Sequence, residues 1–226
     1  MNSNICEIIN IVINKIKQDK GIDIIVDKIP LDDNKTFKLF QNANTNQTEM
    51  FESKYLKDYL RQLKPDKFIE LIALNALYRP RLLDFIPHYI NRKNGKEKIK
   101  YDLVEMEEYL SETYGITIYQ EQIILLSRKL ANFNTQSSDL LSKTLGKNPT
   151  EGFSQIKDNF ISGCKSNNHS EKVCEKIWKD WEAIVQSTVK KSIYTNRTLL
   201  AYAITYLKAN YPVEFKLATQ TIITKH

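Results

Sequence analysis

The sequence has few of the residues that interrupt regular structure, with only six glycines and six prolines in 226 residues. This scarcity argues against a loop-rich or all-β protein. Its three cysteines, Cys6, Cys164 and Cys174, cannot form a complete disulfide set, and no Cys–His spacing fits zinc. We therefore expect structural thiols in a cytoplasmic protein. No apolar run approaches the ~18 residues of a membrane-spanning helix, so we expect no membrane partner.

The composition is that of a folded globular chain. Hydrophobic residues make up 42% and charged residues 27%, which argues against intrinsic disorder and leaves room for one large domain or two small ones. The first 21 residues are amphipathic, which is not the pattern of a secretory signal. No Gly/Ser/Pro-rich linker divides the chain.

The positive charge is unevenly distributed. Residues 79–100 carry 7 basic and 2 acidic side chains, net +5, and residues 187–226 carry 6 and 1, again net +5. Between them, residues 101–186 carry 9 basic and 13 acidic side chains, net −4. Clustered positive charge is typical of surfaces that bind a phosphate backbone. The same charge can also serve solubility alone, and both interpretations remain open at this stage.

Apolar spacing predicts a mainly α fold with at most short strands. Isoleucine and valine recur at helical intervals from Ile5 to Ile16, with Gly21 as a stop. The segment 22–30 predicts a short strand or an extended connector, and Asp32 or Asp33 can cap a short helix after it. We expect a basic loop at 91–98 and a short helix after Pro212. Further helices are predicted at about 52–63, 66–77 (buried), 103–112, 119–131, 136–145, 151–163, 171–186 and 196–209.

Common catalytic motifs are missing from the sequence. There is no P-loop and no Gly-x-Gly-x-x-Gly, and none of His88, His169 and His226 is placed in a triad pattern. Asp32 and Asp33 are adjacent, which fits a helix cap better than a metal site. We therefore predict no catalytic or metal-binding residue in this chain.

Two segments carry polar residues next to apolar ones. Tyr119 and Gln120 could stack on and hydrogen-bond to bases, or could simply begin a helix. Gly146 and Lys147 could place amides and a lysine on a phosphate, or could form an ordinary helix C-cap.

Several segments together resemble the α subunit of bacterial DNA polymerase III, the C-family replicative polymerase, in the form typical of Bacteroidetes. They occur in the family's order and spacing. They are IPLDDNKTFKLFQ, FES, YLRQLKPDKFIELIALNALYRP, RKNGKE, TYGITIYQEQ, the Leu-Gly-Lys of LSKTLGK, and YLKANYPVEF. The resemblance implies a helical fingers domain over residues 1–217, followed by a tail at 218–226.

The resemblance also implies what this chain lacks. The family's palm with its three catalytic aspartates, its thumb and its phosphohydrolase-like domain lie outside the matched region. Two-metal nucleotidyl transfer needs carboxylates that hold Mg²⁺. We therefore expect this chain alone to be inactive as a DNA-directed DNA polymerase, and to work, if it does, with a palm-containing chain.

The resemblance suggests binding residues. The arginine of the family's Tyr/Phe-Arg-Pro-Gly-Pro motif corresponds to Arg79, and its Tyr-Gln-Glu-Gln motif begins at Tyr119 and Gln120. We expect Arg79, Lys143 and Lys147 to meet the phosphates of the incoming deoxynucleotide, and Tyr119 and Gln120 to contact the nucleotide or a neighbouring base. For template-primer DNA we predict Arg92, Lys93, Lys191 and Ser192.

This sequence also departs from the family pattern. Arg81 and Leu82 replace Gly-Pro after Arg79, so we expect an altered turn, because arginine resists glycine-type backbone angles. Ser142 and Lys143 replace paired arginines, and lysine lacks arginine's bidentate fork. Because the changes affect polar positions and spare the apolar pattern, one alternative is an inactive stand-alone paralogue or remnant that serves, if at all, as a DNA-binding or interaction module.

Overall fold

A computed structural model describes residues 3–146 and 152–223 of the chain. Within those residues, regular structure is entirely helical apart from one isolated parallel bridge between Tyr119 and Val189. The predicted mainly α fold is therefore confirmed. The α-helices of this part are α1 (Ser3–Lys20), α2 (Asn34–Gln41), α3 (Lys54–Leu63), α4 (Phe68–Leu77), α5 (Phe85–Lys93), α6 (Glu107–Leu110), α7 (Gln120–Ala131), α8 (Thr135–Thr144), α9 (Gly152–Ser166), α10 (Glu171–Ile184), α11 (Lys191–Asn210) and α12 (Pro212–Ile223).

The chain forms two compact units. The first consists of residues 1–75 and 195–226, and the second of residues 76–194. The boundaries fall inside α4 and α11. Helical sequence therefore runs through both crossing points, which explains why no Gly/Ser/Pro-rich linker marks them. The assignment of residues 1–217 to one fingers domain stays a prediction.

The core of the first unit is built around aromatic rings. Tyr202 on α11 packs edge-on against Phe37 and Phe68, with ring centroids 5.7 and 5.5 Å away, and stacks with Phe40 at 6.1 Å. Burial raises the pKa of Tyr202 to about 12, and its hydroxyl accepts a hydrogen bond from the Asp33 backbone N–H at 3.1 Å. The tyrosine thus fills the core while its polar end stays satisfied.

The second unit has its core between α7, α9 and α10. In this core α7 packs against α9, and α9 packs against α10. Trp178 and Trp181 on α10 surround the buried ring of Phe160, at centroid distances of 5.4 and 5.0 Å. Cys164 and Cys174 are free thiols in the same core. These large side chains hold α9 and α10 together, and α9 in turn supports α7.

Most predicted helix ends agree with the structure. α1 ends at Lys20, and Gly21 follows it with a φ of +68°. Asp33 caps α2 by accepting a hydrogen bond from the Thr36 N–H at 2.7 Å, and Ser53 caps α3 in the same way. α4 is buried as predicted: Leu71, Leu74 and Leu77 have no solvent exposure.

Several local predictions need correction. The strand option at 22–30 is wrong, because the segment contains only a 3-10 turn at Val26–Lys28. The basic loop begins at 94, because Pro87 lies in the first turn of α5, where its missing N–H costs nothing, and α5 continues to Lys93. The segment predicted as a helix at 103–112 is helical but discontinuous, with the single α-turn α6 between two 3-10 turns. α11 begins five residues earlier than predicted, and the helix after Pro212 runs to Ile223. The assignment of residues 218–226 to a separate tail stays a prediction.

Candidate nucleic-acid interface

The start of α7 carries the first pair of predicted binding residues, Tyr119 and Gln120. The Gln120 backbone N–H donates to the Val189 carbonyl at 2.9 Å, which forms the only bridge among the described residues. The Gln122 carboxamide oxygen accepts from the N–H groups of Ile118 and Tyr119, at 2.8 and 2.9 Å. These bonds fix the helix start against the segment that precedes α11.

Gln120 and Gly146 form a tight contact inside the second unit. The Gln120 side-chain amide is buried and donates to the Thr188 carbonyl at 3.1 Å. Gly146 has a φ of +76°, and a Cβ built on it would lie 2.7 Å from Gln120 Nε2. Its N–H donates to the Val185 carbonyl at 2.9 Å. Gly146 thus follows the end of α8 in a glycine-type conformation, and a side chain there would have to displace the Gln120 amide. Lys147 lies outside the described residues.

Tyr119 is buried rather than displayed to solvent, with 2% of its surface exposed. Burial raises the pKa of Tyr119, and the nearby carboxylates of Glu112 and Glu121 raise it further. In this conformation the ring is not open for a base to stack on it. It packs instead beneath Lys191, whose Nζ lies 5.6 Å from the ring centroid.

Lys191 and Ser192 occupy the first turn of α11. The Lys191 backbone N–H donates to the Glu121 carboxylate at 3.1 Å. The Lys191 Nζ forms an ion pair with Glu112, and both of these side chains are about one-third exposed. Ser192 is exposed.

Arg79 and Lys143 occupy different surroundings. Arg79 is half-buried, and its guanidinium donates to the Tyr194 hydroxyl at 3.2 Å. Lys143 is exposed in the last turn of α8. In the turn after Arg79, Arg81 has a φ of +68°, in the region that glycine favours. Arginine therefore adopts a glycine-type backbone angle here, and the expected alteration of the turn relative to the family stays a prediction.

Arg92 is the centre of a polar network at the end of α5. Its guanidinium donates to Glu97 at 2.8 Å and to the Tyr114 carbonyl at 3.0 Å. Glu97 also contacts His88 Nδ1 at 2.8 Å, and hydrogen bonds from His88 and Arg92 lower the pKa of the Glu97 carboxyl. Lys93 is half-buried. Arg92 therefore holds the 94–98 loop in place, whatever else it binds.

A cavity of about 560 Å³ adjoins this network within the second unit. Its apolar wall includes Trp181 and Ile177, and its rim includes Arg92, Lys100 and Lys176. Lys176 is already paired with Asp102 at 2.7 Å and with Asp180 at 2.8 Å. The rim charges are thus largely compensated inside the protein.

The structure brings some of the predicted residues together and leaves others apart. One cluster, around the start of α7, contains Tyr119, Gln120, Gly146 and Lys191. Arg92 belongs instead to the network at the end of α5. Sequence reasoning assigned no role to Glu112, which pairs with Lys191. Nothing in the linear sequence indicates this pair, because the two residues are 79 positions apart.

Two further observations concern metal binding and membrane insertion. Within 3–146 and 152–223, no group of three or more His, Cys, Asp or Glu side chains could hold a metal ion. In the same part of the chain, no helix is both long and apolar enough to cross a bilayer.

This is a mainly α-helical protein whose polar cluster joins the start of α7, the end of α8 and the start of α11. Residues 6–168 match the family model of the bacterial DNA polymerase III alpha subunit finger domain. The chain therefore belongs to the DNA polymerase III α-subunit finger family.

Comparison with curated proteins leads to the same family. The chain is 39% identical over 210 residues to the DNA polymerase III subunit alpha of Aquifex aeolicus, covering 91% of the chain and 18% of that relative. It is 34% identical to the Halalkalibacterium halodurans subunit, covering 96% of the chain and 19% of the relative. It is 37% identical to the Chlamydia trachomatis subunit, covering 94% of the chain and 17% of that relative. The chain thus spans less than a fifth of the length of these relatives.

Proposed function

We propose that this chain acts as the fingers part of a replicative DNA polymerase and binds template-primer DNA and the incoming deoxynucleoside triphosphate. The observation that carries the proposal is the cluster formed by Tyr119, Gln120, Gly146 and Lys191. The family resemblance suggests these residues, which come from three separate segments, and they meet within one compact unit.

The proposed roles follow from exposure and charge. The exposed Lys143, with Lys147 and the half-buried Arg79, would contact phosphates of the nucleotide. Lys191 and the exposed Ser192 would contact the DNA backbone, together with Arg92 and Lys93. Tyr119 and Gln120 would act mainly by holding the cluster in shape, since both are buried. Contact with a nucleotide would require them to become exposed.

The chemical step is assigned to polymerase segments outside the matched region, as the family resemblance implies. In this proposal a palm-containing segment or chain supplies the carboxylates that hold Mg²⁺, and the fingers part positions nucleotide and template. The three free thiols favour a reducing, cytoplasmic setting for this work.

The proposal is tested by titrating the full 226-residue chain onto primed-template DNA across a salt series. Wild-type binding should weaken steeply with salt, because each phosphate contact contributes about 0.9 to the slope of log K against log salt. The double variant Lys143→Ala/Lys147→Ala should bind more weakly and with a shallower slope.

The matched control is Lys172→Ala/Lys179→Ala, which removes the same charge from exposed positions on α10 in the acidic segment. It should bind like wild type. A folded wild-type chain that fails to bind even at low salt would contradict the proposal. That result would favour the alternative of an inactive paralogue or remnant, which has kept the family fold but has lost DNA binding.

A further inference from the structure

Glu112 faces the lysine that the proposed function places on DNA. It lies in the 3-10 turn Ser111–Thr113, and its carboxylate forms an ion pair with Lys191 Nζ. Side-chain exposure is 35% for Lys191 and 38% for Glu112, so solvent and a large anion can both reach the pair.

The carboxylate of Glu112 engages the Lys191 ammonium group, which is the group that a DNA phosphate would contact. Carboxylate and phosphate both have anionic oxygens that accept hydrogen bonds from an ammonium group, and both would seek the same Lys191 Nζ. Placed side by side on one lysine they would also repel each other. A phosphate that binds Lys191 is therefore repelled by the Glu112 carboxylate and binds more favourably once that contact is weakened or displaced.

The cost of that displacement is small. Ion pairs that are this exposed contribute little to stability, since water solvates both partners well. The pair can therefore hold the lysine when nothing is bound and still yield to a phosphate. Glu121 has a different task, because its carboxylate accepts the Lys191 backbone N–H at the start of α11.

We propose that Glu112 sets the affinity of the Lys191 site by holding the ammonium group until a DNA phosphate displaces the carboxylate. The inference rests on the proposed function, in which Lys191 contacts the DNA backbone. The raised pKa of Tyr119, caused by burial and then by Glu112 and Glu121, agrees with a concentration of negative charge at this point.

The test compares Glu112→Gln with wild type in the full-length 226-residue chain, by titration onto primed-template DNA at about 0.15 M salt. At this ionic strength the screening length is about 8 Å, so distant charges contribute little. We expect the Kd of Glu112→Gln to fall about two- to five-fold, the range that corresponds to losing one exposed ion pair.

The matched control is Glu108→Gln. Glu108 lies four residues earlier on α6 and is paired with Lys129 at 3.1 Å. The substitution makes the same charge change and also breaks one exposed ion pair, but it leaves Lys191 untouched. Its Kd should equal that of wild type.

A double-mutant cycle with Lys191→Ala separates a direct effect from a general one. If Glu112 acts through Lys191, adding Glu112→Gln to Lys191→Ala changes nothing. An equal gain in both backgrounds, or in Glu108→Gln, would overturn the inference.

The remaining outcomes distinguish this inference from the proposed function. If wild type binds with a steep salt dependence and Glu112→Gln shows no gain, the inference fails and the proposed function stands. If Glu112→Gln binds where wild type does not, the inference is supported. If no variant binds although thermal unfolding shows all of them folded, both fail.

Discussion

Arg81 shows how a single residue can keep a backbone conformation that its side chain disfavours. The family motif has glycine at this position, and Arg81 nonetheless has a φ of +68°. An L-residue in this region is strained by contact between its Cβ and the backbone, by about 1–2 kcal/mol. The surrounding fold therefore dictates the turn and tolerates the substitution.

Restoring glycine at this turn should stabilise the protein. Relief of the strain outweighs the greater chain entropy of glycine, so we expect Arg81→Gly to raise the free energy of unfolding by about 1 kcal/mol. Urea denaturation followed by circular dichroism measures the change. Arg81→Ala removes the same charge but keeps the Cβ, and should show no gain. Equal stabilisation by both variants would mean that charge and not backbone strain is responsible.

At the scale of helices, α7 and α9 approach each other closely at a glycine. Gly163 on α9 faces the C-terminal end of α7, and a Cβ at this position would lie 2.2 Å from the Ala131 carbonyl oxygen. A backbone oxygen cannot move aside as a flexible side chain can. The glycine therefore permits the packing of α7 on α9, which supports the start of α7.

Substitution of this glycine should destabilise the protein, against the usual trend in helices. Glycine to alanine inside a helix normally adds about 0.5–1 kcal/mol. We expect Gly163→Ala to lower the free energy of unfolding by about 2 kcal/mol, because the added methyl group forces α7 and α9 apart. Ser162→Ala, at the exposed neighbouring position on α9, should be neutral or slightly stabilising. A stabilised Gly163→Ala would disprove the close approach.

At the scale of the whole molecule, several carboxyl groups favour the folded state only when ionised. Hydrogen bonds from His88 and then Arg92 lower the pKa of Glu97, and Lys129 and then Tyr109 do the same for Glu108. The pKa of Glu214 is lowered by its own backbone N–H and by Lys20. These groups occur in both compact units.

The shifts predict that the protein is sensitive to acid. A carboxyl with a lowered pKa in the folded state stabilises the fold fully above its unfolded pKa of about 4.3, and loses this contribution as the pH falls through the folded value. The urea midpoint should therefore be lower at pH 3.5 than at pH 7. Between pH 7 and pH 3.5, the urea midpoint of Glu97→Gln should fall less than that of the control variant Glu175→Gln, whose substituted residue is exposed on α10. Equal losses would show that Glu97 does not contribute.

The sequence by itself determined most of the helices and the family. Apolar spacing and caps such as Asp33 act within a few residues, so the local sequence is enough to place α1, α2 and α7. The helix predicted at 103–112 is reduced to the one-turn α6 between two 3-10 turns, because so short a helix depends on tertiary packing more than on its own propensity. The residues suggested by the resemblance were likewise visible as motifs.

Only the tertiary structure decided how these residues are used. It buries Tyr119, engages Gln120 with Thr188 and pairs Lys191 with Glu112, although these partners lie 68 and 79 residues apart in sequence. It also gives Arg81 a glycine-type backbone angle. Burial and pairing depend on which distant segments pack together, and no local pattern of residue types encodes that choice.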